Sequence, residues 1–168
     1  MSTELDVVVA RFTEGVERAA VSAYEAAVRT GLLKGADLRT AKAFAAQHQA
    51  HAAAFGAYAG DGTRAVANPK LRAAYTSRIG AARSERAVLE VAYELENAVA
   101  ATHLLGIGEL QEPRILELTA TVLPVESQHA VVWGTVLGYA LDKQGYLPAF
   151  LTTAGALGPA DHPARPGT

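Results

Sequence analysis

Two pairs of candidate metal ligands stand three residues apart in the chain. Glu126 and His129 form an E-x-x-H step, and His48 and His51 form an H-x-x-H step. On a helix, positions i and i+3 share one face about one turn apart, so both members of a pair can reach the same ion. Carboxylate and imidazole donors together suit iron or manganese, and imidazole also suits zinc and copper. The two steps therefore predict a metal site.

Two further carboxylates lie in apolar surroundings. Glu17 and Glu96 each stand within an alanine-rich stretch of predicted helix. A buried carboxylate loses its hydration, so it stays ionised only beside a partner of opposite charge. A bound cation is the natural partner. Glu17 and Glu96 are therefore candidate ligands as well.

The candidate ligands recur at a nearly constant offset. Glu17 and Glu96 are 79 residues apart, and the step that ends at His51 precedes the step that ends at His129 by 78 residues. This repeat predicts two helical hairpins related by a pseudo-twofold axis, each with a lone Glu on one helix and a two-ligand step on the next. Di-metal carboxylate bundles bring donors from four helices to one point in this way. We therefore predict an all-α four-helix bundle.

Composition limits the classes of function. The chain has 168 residues, of which 50% are hydrophobic, and this suits one domain with a substantial core. A formal net charge of −2 provides no general attraction to nucleic acid. Without cysteine, the chain has no disulfide and no thiolate metal site. We identify no signal peptide and no apolar run of about 20 residues, so we expect a cytoplasmic protein with no membrane association.

Caps and breakers divide the chain into four long helices and one short helix. Pro124 falls inside the last of them, and we expect a kink that either bends the helix around the core or re-aims Glu126 and His129. We expect the bundle to cover residues 1–152, with Leu147–Leu151 packed on it, and a flexible tail to cover residues 153–168. The predicted helices run from Ser2 or Thr3 to about Gly31, from an N-cap at Asp37 to about Gly60, from Pro69 to about Ser77, from Ala82 to Gly106 and from Pro113 to Leu141.

Tyr24 and His103 occupy equivalent places in the repeat, two turns after the lone glutamates. Each can support the site through a hydrogen bond to a ligand, or be a buried polar group that the backbone satisfies. The second alternative is the more common one. Glu25 and Glu109 have no repeat partner at a ligand position, and we expect them on the surface.

At the candidate ligands the chain resembles ferritin-like proteins, of the bacterial branch with a di-iron-carboxylate type four-helix bundle. The resemblance covers about Leu5 to Phe150. It implies that the site binds two iron or manganese ions and reacts with dioxygen or peroxide. The resemblance rests on Glu17, the step that ends at His51, Glu96, Glu126 with His129, and the Leu-Pro-Ala-Phe segment near the C-terminus.

His48 departs from the pattern of the family, which has Glu at this position. The candidate set then contains three carboxylates and three imidazoles. Two divalent ions would be less well neutralised, by about one charge, than in a usual member. Compared with a usual member, the departure favours a single ion, a mixed pair, zinc or copper, or an empty site over a symmetric di-iron ferroxidase centre.

The leading hypothesis is a metal-binding ferritin-like protein. It would act as an oxidoreductase with a mono- or dinuclear iron or manganese centre and dioxygen or peroxide, for example in the oxidation of Fe(II). One alternative is a metal-free or structural bundle that acts through assembly or partner binding. Another is an enzyme that acts on a small organic substrate at the same metal. We expect no assembly larger than a homodimer. The predicted ligands are Glu17, His48, His51, Glu96, Glu126 and His129.

Overall fold

The computed structural model describes residues 3–60, 66–139 and 151–163. Within these ranges the chain is helical and contains no strand, which confirms the predicted all-α class. No helix among the described residues combines the length and apolar character that crossing a membrane requires. The five helices are α1 (Glu4–Arg29), α2 (Gly35–Gly56), α3 (Pro69–Ala81), α4 (Glu85–Glu109) and α5 (Pro113–Val136).

The start of α1 is fixed by a capping box. The side chain of Thr3 accepts a hydrogen bond from Asp6 N, and Asp6 accepts from Thr3 N at 2.7 Å. Asp6 Oδ1 also accepts from the backbone N–H groups of Gln111 and Glu112, at 2.7 and 3.1 Å. These two N–H groups lie at the turn into α5, where helix geometry leaves them without intrahelical acceptors. One buried carboxylate therefore holds the beginning of α1 against the α4–α5 turn.

The four long helices form two hairpins. α1 packs mainly on α2, and α4 mainly on α5, in each case across a short loop. The predicted Asp37 N-cap is wrong, because α2 already begins at Gly35 and Asp37 lies in its first turn. The predicted end of the last helix near Leu141 is also wrong, because α5 ends at Val136 and Gly138 follows with φ of 74°. A glycine in this left-handed region is a common way to end a helix.

The crossover between the hairpins contains the short helix α3. It begins at Pro69 as predicted and continues to Ala81, four residues beyond the predicted end. Asn68 caps it, and Pro69 needs no N–H donor at the first helical position. α3 packs against α1 and α4. It thereby covers one side of the four-helix arrangement.

The core lies between the helices and is built from alanine, branched aliphatic and aromatic side chains. Trp133, Tyr24 and Leu95 are among the largest fully buried residues. Small alanine side chains along α1 allow neighbouring helices to approach closely. α5 continues through Pro124 as one helix. Whether the proline kinks it, and in which direction, stays a prediction.

Residues 151–163 contact the bundle. Leu157 is buried, and its N–H donates to Thr102 Oγ1 at 2.8 Å. Asn68 Nδ2 donates to the carbonyl oxygen of His162 at 2.8 Å. The predicted boundary at residue 152, with a flexible tail beyond it, stays a prediction. Three parts of the predictions lie outside the described residues: Ser2, residues 147–150 of the segment Leu147–Leu151 that was expected to pack on the bundle, and residues 164–168.

Replacing Asn68 with alanine is expected to lower the free energy of unfolding by about 1–3 kcal/mol. The change removes the acceptor for Leu71 N, at 3.1 Å, and the donor to His162 O. Asn97→Ala is the matched control, since this amide bonds Tyr93 O within its own helix. We expect the control to change stability by no more than about 0.5 kcal/mol. Urea denaturation measures both, and equal effects would contradict the role of Asn68.

Candidate metal centre

The structure brings all six predicted ligands together. Each of the four long helices contributes: Glu17 from α1, His48 and His51 from α2, Glu96 from α4, and Glu126 and His129 from α5. The donor atoms form two groups, and within each group they lie within 4.8 Å of one another. His48 and Glu126 belong to both groups. All the side chains are buried except that of His51, which is 13% exposed.

The first group joins the two helices of the first hairpin to α5. His48 Nδ1 lies 2.7 Å from Glu17 Oε2 and 3.7 Å from Glu126 Oε1. His51 Nδ1 lies 2.7 Å from Glu126 Oε1 and 3.7 Å from Glu17 Oε2. The group therefore presents two carboxylates and two imidazoles to one small volume.

The second group joins α2 to the second hairpin. His48 Nε2 lies 3.2 Å from Glu96 Oε1, so the two nitrogens of this ring face the lone glutamates of both halves. His129 Nδ1 lies 3.3 Å from Glu96 Oε2 and 3.4 Å from Glu126 Oε2. The second group repeats the composition of the first, again with two carboxylates and two imidazoles.

Glu126 lies within ion-pair distance of His48, His51 and His129, but none of these contacts has the geometry of a hydrogen bond. Neither oxygen of Glu126 has a hydrogen-bond partner among the described residues, and nor has His51 Nδ1. His51 Nδ1 and Glu126 Oε1 are 2.7 Å apart but lack the alignment of a hydrogen bond. Buried polar atoms without partners are costly, and a metal ion satisfies such atoms by coordination. The donor set and its orphaned atoms therefore fit a divalent metal ion.

Hydrogen bonds from outside the six hold the lone glutamates in place. The hydroxyl of Tyr24, on α1, donates to Glu96 Oε1, and Trp133 Nε1 donates to this hydroxyl at 2.7 Å. In the reciprocal contact, His103 on α4 donates from Nε2 to Glu17 Oε1 at 2.7 Å. The alternative that the backbone satisfies Tyr24 and His103 is wrong. Both residues orient a candidate ligand, as outer residues do in metal sites.

The charges of the cluster compensate one another. Burial by itself would raise the pKa of Glu17, but hydrogen bonds with His103 and His48 hold this pKa well below its ordinary value. Burial would lower the pKa of His51, but the nearby carboxylates of Glu126 and Glu17, at 2.7 and 3.7 Å, raise this pKa to about 9. The pKa of His48 is raised well above its ordinary value, since nearby Glu126 and Glu96 outweigh its burial. Without metal, the carboxylates therefore keep these imidazoles protonated near neutral pH.

Gln47 was not identified from the sequence. Its Oε1 lies 2.5 Å from His129 Nε2 and accepts a hydrogen bond from this nitrogen, so Nδ1, which faces the carboxylates, is the nitrogen that would lose its proton and bind an ion. The position of Gln47, one residue before His48, was the available signal. The sequence could not show that its side chain crosses from α2 to α5. Trp133 was also missed as a support, although it follows His129 by one helical turn.

Replacing Gln47 with alanine is expected to weaken zinc binding by about tenfold, because His129 then loses the contact that selects its tautomer. Gln49→Ala is the matched control, since Gln49 is an exposed residue of the same helix and lies outside both ligand groups. Isothermal titration calorimetry with zinc measures both affinities. If the two variants bind zinc equally well, Gln47 does not position His129.

A family model described as a ferritin-like domain matches residues 5–139 of the chain. No curated protein and no solved structure matches it. The matched region contains all six candidate ligands and all five helices, apart from Glu4 at the start of α1. By this match the chain belongs to the ferritin-like domain family.

Proposed function

We propose that this protein binds a mono- or dinuclear iron or manganese centre and uses it as an oxidoreductase with dioxygen or peroxide, as in the oxidation of Fe(II). The ligands would be Glu17, His48, His51, Glu96, Glu126 and His129. The observation that carries the proposal is Glu126, a fully buried carboxylate whose two oxygens are both without a hydrogen-bond partner among the described residues. A divalent ion held by Glu126 would satisfy these oxygens.

A bound iron or manganese ion would supply one-electron chemistry with an oxygen-derived oxidant. The residues of the chain hold and orient this ion. Tyr24 fixes Oε1 of Glu96, and His103 fixes Oε1 of Glu17. The second oxygen of each glutamate therefore remains directed at the cluster. The cluster is nearly fully buried, and His51, whose side chain is 13% exposed, marks the side from which an ion or a small oxidant would reach it.

Metal analysis followed by an oxidation assay tests the proposal. Protein purified from medium supplemented with iron, manganese and zinc should contain one or two ions per chain. Fe(II) added without oxygen to the metal-free protein, followed by air, should be oxidised faster than Fe(II) in buffer, with matching oxygen consumption. Metal content near zero after supplementation would contradict the proposal. Metal binding without accelerated oxidation would retain the site and reject the oxidoreductase.

A second candidate function is that of a metal-free bundle that acts through assembly or partner binding. The observation that favours it is the mutual compensation within the cluster, where His48 already contacts Glu17 at 2.7 Å and Glu96 at 3.2 Å. Three carboxylates and three protonated imidazoles are neutral together, so the fold does not require a metal for charge balance. The metal analysis separates the two candidates, since this one requires an empty site in supplemented medium.

A further inference from the structure

A pocket separate from the candidate metal centre lies between the first half of α1, the end of α4 and the C-terminal segment. Its volume is about 250 Å³, and none of the six candidate ligands lines it. Thr13, Thr102 and Gly106 contribute further parts of its surface. Most of the lining is apolar and comes from Leu5, Val8, Val9, Phe12, Leu105 and Leu157.

The C-terminal segment forms a fixed wall of this pocket. Leu157 is buried, and its N–H donates to Thr102 Oγ1 at 2.8 Å. The hydroxyl of Thr102 in turn donates to Ala98 O at 2.6 Å. Because the wall is held by hydrogen bonds before any ligand arrives, a ligand would meet a cavity that is already formed.

The charge of the lining selects against anions. Glu109 lines the pocket, and no lysine or arginine does so among the residues that the structure describes. A carboxylate or sulfonate would lose hydration here without a cation to bind it, and it would lie near a carboxylate of the same sign. The chemistry of the pocket therefore suits an uncharged molecule.

The mouth of the pocket leaves apolar surface open to water. Leu5, Val8 and Leu105 are 42%, 46% and 36% exposed, although all three are large hydrophobic residues. Covering such side chains is favourable in proportion to the apolar area removed from water. An engineered apolar cavity of about 150 Å³ in another protein holds benzene, so 250 Å³ accommodates a somewhat larger ring system.

We propose that this pocket binds an uncharged apolar molecule of two or three aromatic rings. The site goes beyond the proposed function and does not depend on it, because binding here requires no metal. It is nevertheless close to the candidate centre. Thr13 stands one helical turn before Glu17, and Gly106 one turn after His103, so the inner end of the pocket shares these turns with the Glu17–His103 pair.

Gly106 offers a direct way to fill the pocket. A Cβ atom at this position would meet Val9 Cγ1 at 3.6 Å, which is an ordinary contact, so a larger side chain can extend into the pocket from α4. Gly106→Leu should therefore occupy the space. Gly108→Leu is the matched control, since it places the same side chain on the same helix where a Cβ meets nothing within 4 Å.

Fluorescence titration of the metal-free protein tests the proposal with N-phenyl-1-naphthylamine, an uncharged probe. We expect saturable binding of one probe per chain, about the same affinity in Gly108→Leu, and at least about tenfold weaker binding in Gly106→Leu. The sulfonate analogue, 1-anilinonaphthalene-8-sulfonate, should bind at least about tenfold more weakly than the uncharged probe. Absence of saturable binding, equal affinities of the two leucine variants, or equal affinities of the two probes would each overturn the proposal.

A second pair of variants covers the case in which Gly106→Leu does not fold. Leu105→Gln removes apolar surface at the exposed mouth, and Val132→Gln makes the same kind of change at an exposed position of α5 outside the pocket. Only Leu105→Gln should weaken probe binding, by several-fold. Equal binding by these two variants would overturn the assignment of the probe to this pocket. The metal content of the samples is measured separately, so a failure here is distinct from a failure of the proposed metal function.

Discussion

Replacing Glu126 with glutamine should lower the affinity for a divalent ion by about 100-fold or more. Loss of an outer residue that only orients a ligand typically costs 10–100-fold, so loss of a shared anionic ligand should cost at least as much. Glu126 belongs to both ligand groups, and neither of its oxygens is engaged in a hydrogen bond among the described residues. Glutamine keeps the shape of the side chain but removes the negative charge that an ion requires.

The matched control for this change is Glu90→Gln. Glu90 lies on α4 as a partly exposed residue, and its carboxylate pairs with Arg86 at 3.0 Å on the surface. Zinc titrations of both variants by calorimetry, with circular dichroism to confirm the fold, measure the difference. If Glu126→Gln binds zinc as tightly as Glu90→Gln, the buried cluster is not the metal site. The metal-free bundle would then become the preferred function.

The convergence of the six candidate ligands was predictable because it follows from a repeat. Glu17 and Glu96 stand at equivalent depths in their hairpins, and each two-ligand step stands on the partner helix of its hairpin. Helical spacing then places both members of a step on one face. These relations depend on backbone geometry alone, and the same sequence pattern indicates this geometry in both hairpins. The role of each residue as a ligand stays a prediction.

The contacts between the two hairpins were less accessible from the sequence. Tyr24 reaches Glu96 and His103 reaches Glu17 across the bundle, and such pairs depend on helix rotation and on side-chain rotamers. Gln47 could be recognised only once α2 and α5 were seen side by side. The spacing of residues along one helix contains no information on these contacts.

The predicted start of α2 and the predicted end of α5 were both wrong, and each boundary depends on local backbone structure. Asp37 is a good N-cap residue by type, but Lys34 is the N-cap and α2 begins three residues earlier than predicted, at Gly35. At the other end of the bundle, the apolar residues after Val136 favoured a longer α5, whereas Gly138 adopts a left-handed conformation. At the end of α5, a glycine in positive φ therefore outweighs the propensity of its neighbours.

Replacing His48 with glutamate should let the site hold a metal ion to lower pH. The pKa values of His48, His51 and His129 are all raised in the metal-free fold, because nearby carboxylates outweigh burial. Each imidazole must lose its proton before it binds an ion. Metal binding by the natural protein therefore releases protons from three imidazoles, and binding weakens as pH falls from neutral toward about 5.

In His48→Glu, metal binding should release protons from two imidazoles instead of three. Glutamate has a reference pKa of about 4.3, against about 6.5 for histidine, and at position 48 it would add an anion where the two ring nitrogens now face Glu17 and Glu96. Between about pH 5 and 7, the logarithm of zinc affinity should fall by up to about three units per pH unit for the natural protein and about two for His48→Glu. Binding of a second ion should also become more favourable in the variant.

Metal stoichiometry and affinity measured against pH for both proteins test this expectation. Equal pH midpoints with equal stoichiometry would mean that position 48 contributes no ligand.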